Sequence, residues 1–171
     1  MSKQSTSFWN FSNQLYDRDD VSTACLHLQN EFQFDVNLLL FCCWAAHFDE
    51  TLSPDSWDRI LEFSRQWRKE VVQPLRDVRS WMKGESHHYI ENTEFSVLRE
   101  RIKMDELAAE KFQQEYMEKS VAEVPKQSSE FSAARAQDYF NKLARANSQE
   151  ISEEISTQLQ ILIDAVEKIT K

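Results

Sequence analysis

Apolar positions recur along most of the chain at intervals of three and four, the spacing of one helix face, and seldom alternate as a half-buried strand would require. Phe8, Phe11 and Leu15, with Trp9, mark a first short helix, Phe8 to Tyr16, which Ser7 can cap. Val21, Ala24, Cys25, Leu28 and Phe32 mark a second, starting near Asp19 or Asp20, where an acidic side chain suits the helix dipole. Asp35 reads as the cap of a third, Val36 to Phe48, with Phe34 and Leu39 spaced as a hydrophobic staple. Within it the pattern changes. Leu38 to Ala46 is an unbroken apolar run of nine residues, so this helix is apolar nearly all round and has to be surrounded by others. A buried strand is the rival reading, since Phe, Val and Trp suit strands; the length and the Ala45-Ala46 pair favour a helix.

Ser53, Pro54 and Asp55 form a strong helix start, followed by Trp57, Ile60, Leu61, Ser64 and Trp67 on one face. Pro74 predicts a break or kink near Gln73, because a proline disfavours helical geometry in the residue before it. Leu75, Val78, Trp81 and Met82 carry a short fifth helix to Gly84, the sole glycine, at a C-cap position. A long helix spans about Asn92 to Ser120. Its expected apolar stripe is Phe95, Leu98, Ile102, Ala109, Phe112 and Tyr116, widened by Met104, Leu107 and Ala108. Val121 to Glu130 reads as linker. Of two closing helices, the last places Ile155, Leu159, Leu162, Val166 and Ile169 at 4-3-4-3 spacing, a two-heptad seam that a helical hairpin, self-association or docking on the main body would all use. The expectation is an all-α protein: a compact multi-helix bundle around a central apolar helix, with residues 7–120 as the core domain, 121–130 as linker and 131–171 as a C-terminal helical hairpin or extension.

Composition sharpens this picture. Among 171 residues there are only one Gly and three Pro, too few for the turns of a sheet protein. All five tryptophans, all three cysteines and seven of the eleven phenylalanines precede residue 84, so the first half has the richer core. No apolar run approaches the roughly 20 residues that cross a bilayer, and Met1 to Phe8 lacks the apolar stretch of a signal peptide, which leads to the expectation of a cytoplasmic protein without membrane insertion. The formal charge of −9 opposes binding to phosphate backbones. The one basic stretch is Arg65 to Lys83, with Arg65, Arg68, Lys69, Arg76, Arg79 and Lys83 against Glu70 and Asp77.

Phe8, Trp9, Phe11, Ser12, Leu15 and Tyr16, then Cys25, Leu26, Leu28 and Gln29, the run Asp35-Val36-Asn37-Leu38-Leu39-Leu40-Phe41-Cys42-Cys43-Trp44, and the later set Trp67, Arg68, Val71, Val72, Pro74, Leu75, Arg76 and Arg79 together resemble a bacterial family. It is the domain of unknown function DUF2390, also called the TIGR02444 family. The resemblance covers about residues 8–119, less specifically at Glu106 to Glu110. It implies a domain boundary near residue 120 and a bacterial cytoplasmic setting, and it carries no assigned reaction.

The search for chemistry is mostly a series of exclusions. One glycine rules out the common Gly-rich phosphate loops and a Gly-x-Ser-x-Gly nucleophile elbow. The histidines, His27, His47, His87 and His88, form no zinc motif. Adjacent Cys42 and Cys43 have the wrong spacing for a zinc half-site, so no metal or cofactor is expected, although His87 and His88 could take up metal adventitiously. Glu106 and Glu110 share a helix face, and Glu31 and Asp35 have the same spacing. Such pairs can hold magnesium with a substrate phosphate, but surface solvation or capping is the favoured reading. Asn37, set into an apolar helix, either bridges neighbouring helices or contacts a ligand. Arg68, Arg76 and Arg79 cap helix ends, pair with Asp35 or Glu70, or meet an external anion.

These readings favour a non-enzymatic protein-interaction adaptor or regulator. Its partner surface would be Arg68, Arg76, Arg79 and Trp81, or the C-terminal stripe of Ile155, Leu159, Leu162, Val166 and Ile169. A small-molecule binder or enzyme using a helical-bundle cavity is the alternative, and weak nucleic-acid binding through Arg65 to Lys83 a second. A pocket lined by Asn37, Arg68 and a carboxylate would favour the cavity reading; a core without a pocket would count against it.

Overall fold

A computed structural model describes residues 7–84, 93–121 and 130–170. Among them are eight α-helices and no β-strand: α1 (Phe8–Tyr16), α2 (Asp19–Phe32), α3 (Val36–Ala45), α4 (Pro54–Trp67), α5 (Gln73–Lys83), α6 (Thr93–Ser120), α7 (Ala133–Ala146) and α8 (Glu153–Thr170). Helix starts follow local side-chain chemistry. Ser7 Oγ accepts the Asn10 N–H, Asp35 accepts the Asn37 and Leu38 N–H groups, Ser53 Oγ accepts Ser56 N–H and Ser132 Oγ accepts Arg135 N–H. Each thereby satisfies a backbone donor that has no partner inside its helix.

The strand alternative for the apolar run is overturned, since Val36–Ala45 is helical. It ends three residues before the expected Phe48, in a turn. Every residue of α3 after Val36 is buried. α1, α2, α6, α7 and α8 all pack against it, as an all-round apolar helix requires.

Of the break or kink expected near Gln73, there is no break. Arg68–Val72 form one π-helical turn, the Gln73 N–H bonds the Arg68 carbonyl, and Pro74 sits in the first turn of α5. A proline lacks an N–H and crowds the carbonyl four residues back. The wider turn moves that carbonyl aside, so α4 and α5 continue through it.

The C-terminal helices complete the main core. Tyr139, Phe140 and Leu143 of α7 and Ile155, Leu159, Leu162 and Val166 of α8 belong to the same apolar cluster as Phe8, Leu28 and Phe41. α8 lies along α2 and also reaches α1, α3 and α7. The Tyr139 hydroxyl accepts the Leu52 N–H, and its ring stacks on Trp57 at 5.5 Å between centroids.

α6 departs most from its sequence pattern. Its buried residues are Glu106, Ala109, Gln113, Gln114 and Met117, while Leu98, Met104, Leu107, Phe112 and Tyr116 are exposed. The helix turns polar side chains inward because the surface it meets is polar there: Ser12 of α1, the Asp35–Asn37 start of α3 and two arginines of α5. Phe112 and Tyr116 instead join Phe63 and Trp67 of α4 in a half-exposed aromatic stack, with Phe63 and Tyr116 3.7 Å apart and the Trp67 indole N–H on the Ala109 carbonyl.

A polar cavity between five helices

The buried polar residues form a chain that begins at the α3 cap. Asp35 Oδ1 holds the Asn37 N–H at 2.8 Å, and Oδ2 accepts Gln113 Nε2 at 2.9 Å. Both polar atoms of the Asn37 side chain are engaged: Nδ2 donates to Gln113 Oε1 at 3.0 Å, and Oδ1 accepts Gln114 Nε2 at 2.8 Å. Ser12 Oγ donates to Gln114 Oε1 at 2.7 Å. α3, α6 and α1 are thus tied by amides whose donors and acceptors are matched, which is the condition for burying them at little cost.

Beside this amide layer lies a charged row. α5 packs antiparallel to α6, so Arg79 faces Glu106 and Arg76 reaches both Glu106 and Glu110. Arg79 Nε donates to Glu106 Oε2, Arg76 Nε to Glu106 Oε1 at 3.0 Å, and Arg76 Nη2 to Glu110 Oε1 at 2.7 Å. Arg76 Nη1 also donates to Gln29 Oε1 of α2 at 2.9 Å. Side-chain exposure falls to 9% at Glu106 and 19% at Arg76, and rises to 31% at Arg79 and 27% at Glu110.

These groups line a cavity of about 320 Å³ between α1, α2, α3, α5 and α6. Its polar lining is Ser12, Asn13, Tyr16, Gln29, Asn37, Arg76, Arg79, Ser80, Glu106, Glu110 and Gln114; Trp9, Leu26, Val36, Leu40 and Leu107 supply apolar wall. Burial pushes the Glu106 carboxyl up, but the hydrogen bonds from Arg79 and Arg76 outweigh burial and hold it below the ordinary carboxylate value. Burial raises Glu110, with Glu106 and Asp35 adding to the effect against Arg76. Burial likewise raises the Tyr16 hydroxyl. Among the described residues, that hydroxyl has no hydrogen-bond partner.

The residues singled out from the sequence divide accordingly. Asn37, Arg76 and Arg79 meet in the cavity. Arg68 donates to the Gln33 carbonyl at the end of α2 and borders only an adjoining void of about 10 Å³, room for about one water. Trp81 is 66% exposed on α5 and does not line the cavity. Ile155, Leu159, Leu162 and Val166 are buried and Ile169 is packed on the core, so this stripe is occupied by the chain's own helices. Arg76 and Arg79 pair with Glu106 and Glu110 rather than with Asp35 or Glu70, while Arg68 meets the end of α2. Sequence reasoning also left out Ser12, Tyr16, Gln29, Gln113 and Gln114. The available signal was polar residues at helical spacing on α6: 106, 110, 113 and 114.

Other reactive groups are quiet. Cys25, Cys42 and Cys43 are free and buried, and burial pushes the Cys25 thiol up to about 12 and the other two also well up. Such thiols lack the thiolate that nucleophilic chemistry needs. Among the described residues no group of three or more His, Cys, Asp and Glu side chains could hold a metal ion; His87 and His88 lie outside the described residues. No described helix is long and apolar enough to cross a membrane.

The family model described as "Protein of unknown function (DUF2390)" matches residues 7–117, more than half of the chain. The chain belongs to the DUF2390 family. The matched DUF2390 region contains every residue that lines the cavity, from Trp9 to Gln114. It stops short of α7 and α8, although these complete the core on which the region folds. No curated protein and no solved structure matches the chain.

Proposed function

We propose that this DUF2390 protein is a small-molecule-binding helical domain whose ligand occupies the cavity between α1, α2, α3, α5 and α6. One observation carries the reading: polar and charged side chains from five helices converge on an open space with an apolar wall. A purely structural ion-pair cluster gains by closing on itself and excluding solvent, because half-buried charges are costly unless well partnered. Here the charges border a cavity of about 320 Å³ instead, near the lower end of the size range of small-ligand sites. The self-satisfied layer of Asn37, Gln113 and Gln114 supplies a rigid floor.

The test is a fragment screen on the full chain by two-dimensional NMR, following the indole N–H of Trp9 and the cavity-side amides of α6. The reading expects hits that shift these signals and that are lost in Leu107→Trp, which narrows the rim at an exposed position. A folded protein whose cavity signals no fragment moves would refute it.

A second reading is the adaptor, supported by a separate observation. α5 and α6 expose Val78, Trp81, Val97, Leu98 and Met104, and exposed aromatic and aliphatic side chains are effective anchors in protein interfaces. Capture of a partner by the wild type and not by Trp81→Ala with Leu98→Asp would favour it. Nucleic-acid binding has less support: Arg76 and Arg79 are engaged by carboxylates, and the net charge is −9.

A further inference from the structure

The charged row in the cavity has a direction. In order it reads Arg79, Glu106, Arg76, Glu110, alternating in sign, with each neighbour joined by a hydrogen-bonded ion pair. In the two inner members every side-chain nitrogen and oxygen is engaged. Both Glu106 oxygens accept from guanidinium groups, and Arg76 uses Nε, Nη1 and Nη2. In the two outer members this is not so. Arg79 donates through Nε and Nη2, leaving Nη1 without a hydrogen bond among the described residues; Glu110 accepts through Oε1, leaving Oε2 without one. The row therefore ends in a cation at one side and a carboxylate at the other, and these two ends are the more solvent-exposed members.

This arrangement discriminates among ligand charges. A simple anion meets Arg79 but also faces the Glu106 and Glu110 carboxylates. A simple cation suits Glu110 and meets two guanidinium groups. A neutral apolar molecule displaces water from both ends and gives neither a partner, which costs free energy at each. Only a molecule carrying both signs extends the alternation at both ends. Resting on the cavity reading above, we propose that the ligand is a small zwitterion with an apolar side group, the chemistry of a free hydrophobic amino acid. Its carboxylate lies on Arg79, its ammonium on Glu110 and the Tyr16 hydroxyl, and its side group against Trp9, Val36 and Leu40. Burial raises the proton affinity of Glu110, and Arg76 is the one cation that opposes the shift.

The experiment is calorimetric titration of the full chain with L-leucine, L-methionine and L-phenylalanine, beside N-acetyl-L-leucine and L-leucinamide, which each keep one charge. Binding of at least one free amino acid is expected, with each blocked form of leucine at least tenfold weaker than leucine itself. Glu110→Gln and Arg79→Gln should each weaken the free amino acid at least tenfold, while circular dichroism shows both variants folded. Equal binding of a blocked form, with the Trp9 indole signal shifted, would overturn the zwitterion inference and leave the cavity reading standing. Failure of all three amino acids to bind would also overturn it; the cavity reading then stands or falls on the fragment screen.

Discussion

Replacing Asn37 by leucine separates two accounts of the cavity floor by the sign of the effect. Asn37 is 8% exposed within an otherwise apolar helix. If burial of apolar surface were all that mattered, a leucine there would stabilise the fold by about 2 kcal/mol. The hydrogen-bond network says otherwise. The substitution strips the donor from Gln113 Oε1 and the acceptor from Gln114 Nε2, on side chains 1% and 4% exposed. Each orphaned buried group costs about 1–3 kcal/mol, or about 4 kcal/mol for the two, and the apolar gain offsets about half. The net is a loss of about 2 kcal/mol, a fall in Tm of about 4–8 °C for a chain of this length. Urea unfolding followed by circular dichroism and tryptophan fluorescence measures it. A double-mutant cycle sharpens the reading: Gln113→Leu alone orphans Asn37 Nδ2 and Asp35 Oδ2, whereas the double substitution removes both ends of the Asn37–Gln113 bond, so the pair should cost about 1 kcal/mol less than the sum of the singles. An Asn37→Leu protein more stable than wild type, or strictly additive singles, would refute the argument.

Three further outcomes are expected. Leu162→Ala, at a fully buried site of α8, should cost about 3 kcal/mol and lower the single global transition; a melt of the tail alone, with the rest of the chain untouched, would contradict a shared core. Burial holds the His47 imidazole below its ordinary 6.5 while its Nδ1 lies 3.2 Å from the Cys43 and Trp44 carbonyls, so the unfolded chain takes up the proton first. The stability due to neutral His47 is therefore complete above pH 6.5 and is lost as pH falls through the folded-state value; wild type should lose more stability than His47→Gln on acidification in denaturant titrations, a comparison in which the opposite trend of Glu110 cancels. Trp67→Phe keeps the aromatic stack and deletes the indole bond to the Ala109 carbonyl, with an expected loss of about 1 kcal/mol in the same unfolding assay.

Helix starts were legible in the chain because they are local. A serine or aspartate that caps its own first turn needs no partner from elsewhere, and Ser7, Asp35 and Ser53 all do so. The centrality of Val36–Ala45 was legible for a related reason: a helix with no polar face admits only one environment. The face of α6 was not legible. Apolar spacing pointed to Phe112 and Tyr116, but the surfaces waiting at α1, α3 and α5 were polar, and Gln114 found Ser12 across 102 residues of sequence. At Pro74 the local rule asked for a break or a kink, and a π-helical turn in the assembled bundle carried the helix through without a break.

By itself, then, the sequence determined what each segment does with its own backbone: where helices begin, that they are helices, and that the third is enclosed. Tertiary structure alone decided which side of α6 turns inward, that the α8 stripe closes on α2, and that Asn37, Arg76 and Arg79 share a cavity with Glu106, Glu110 and Tyr16. The division follows from the range of the forces. Backbone capping and periodicity act within a turn or two, whereas the partner of a buried amide or charge is chosen by whatever distant surface arrives beside it, since leaving the group unpaired costs more than turning the helix.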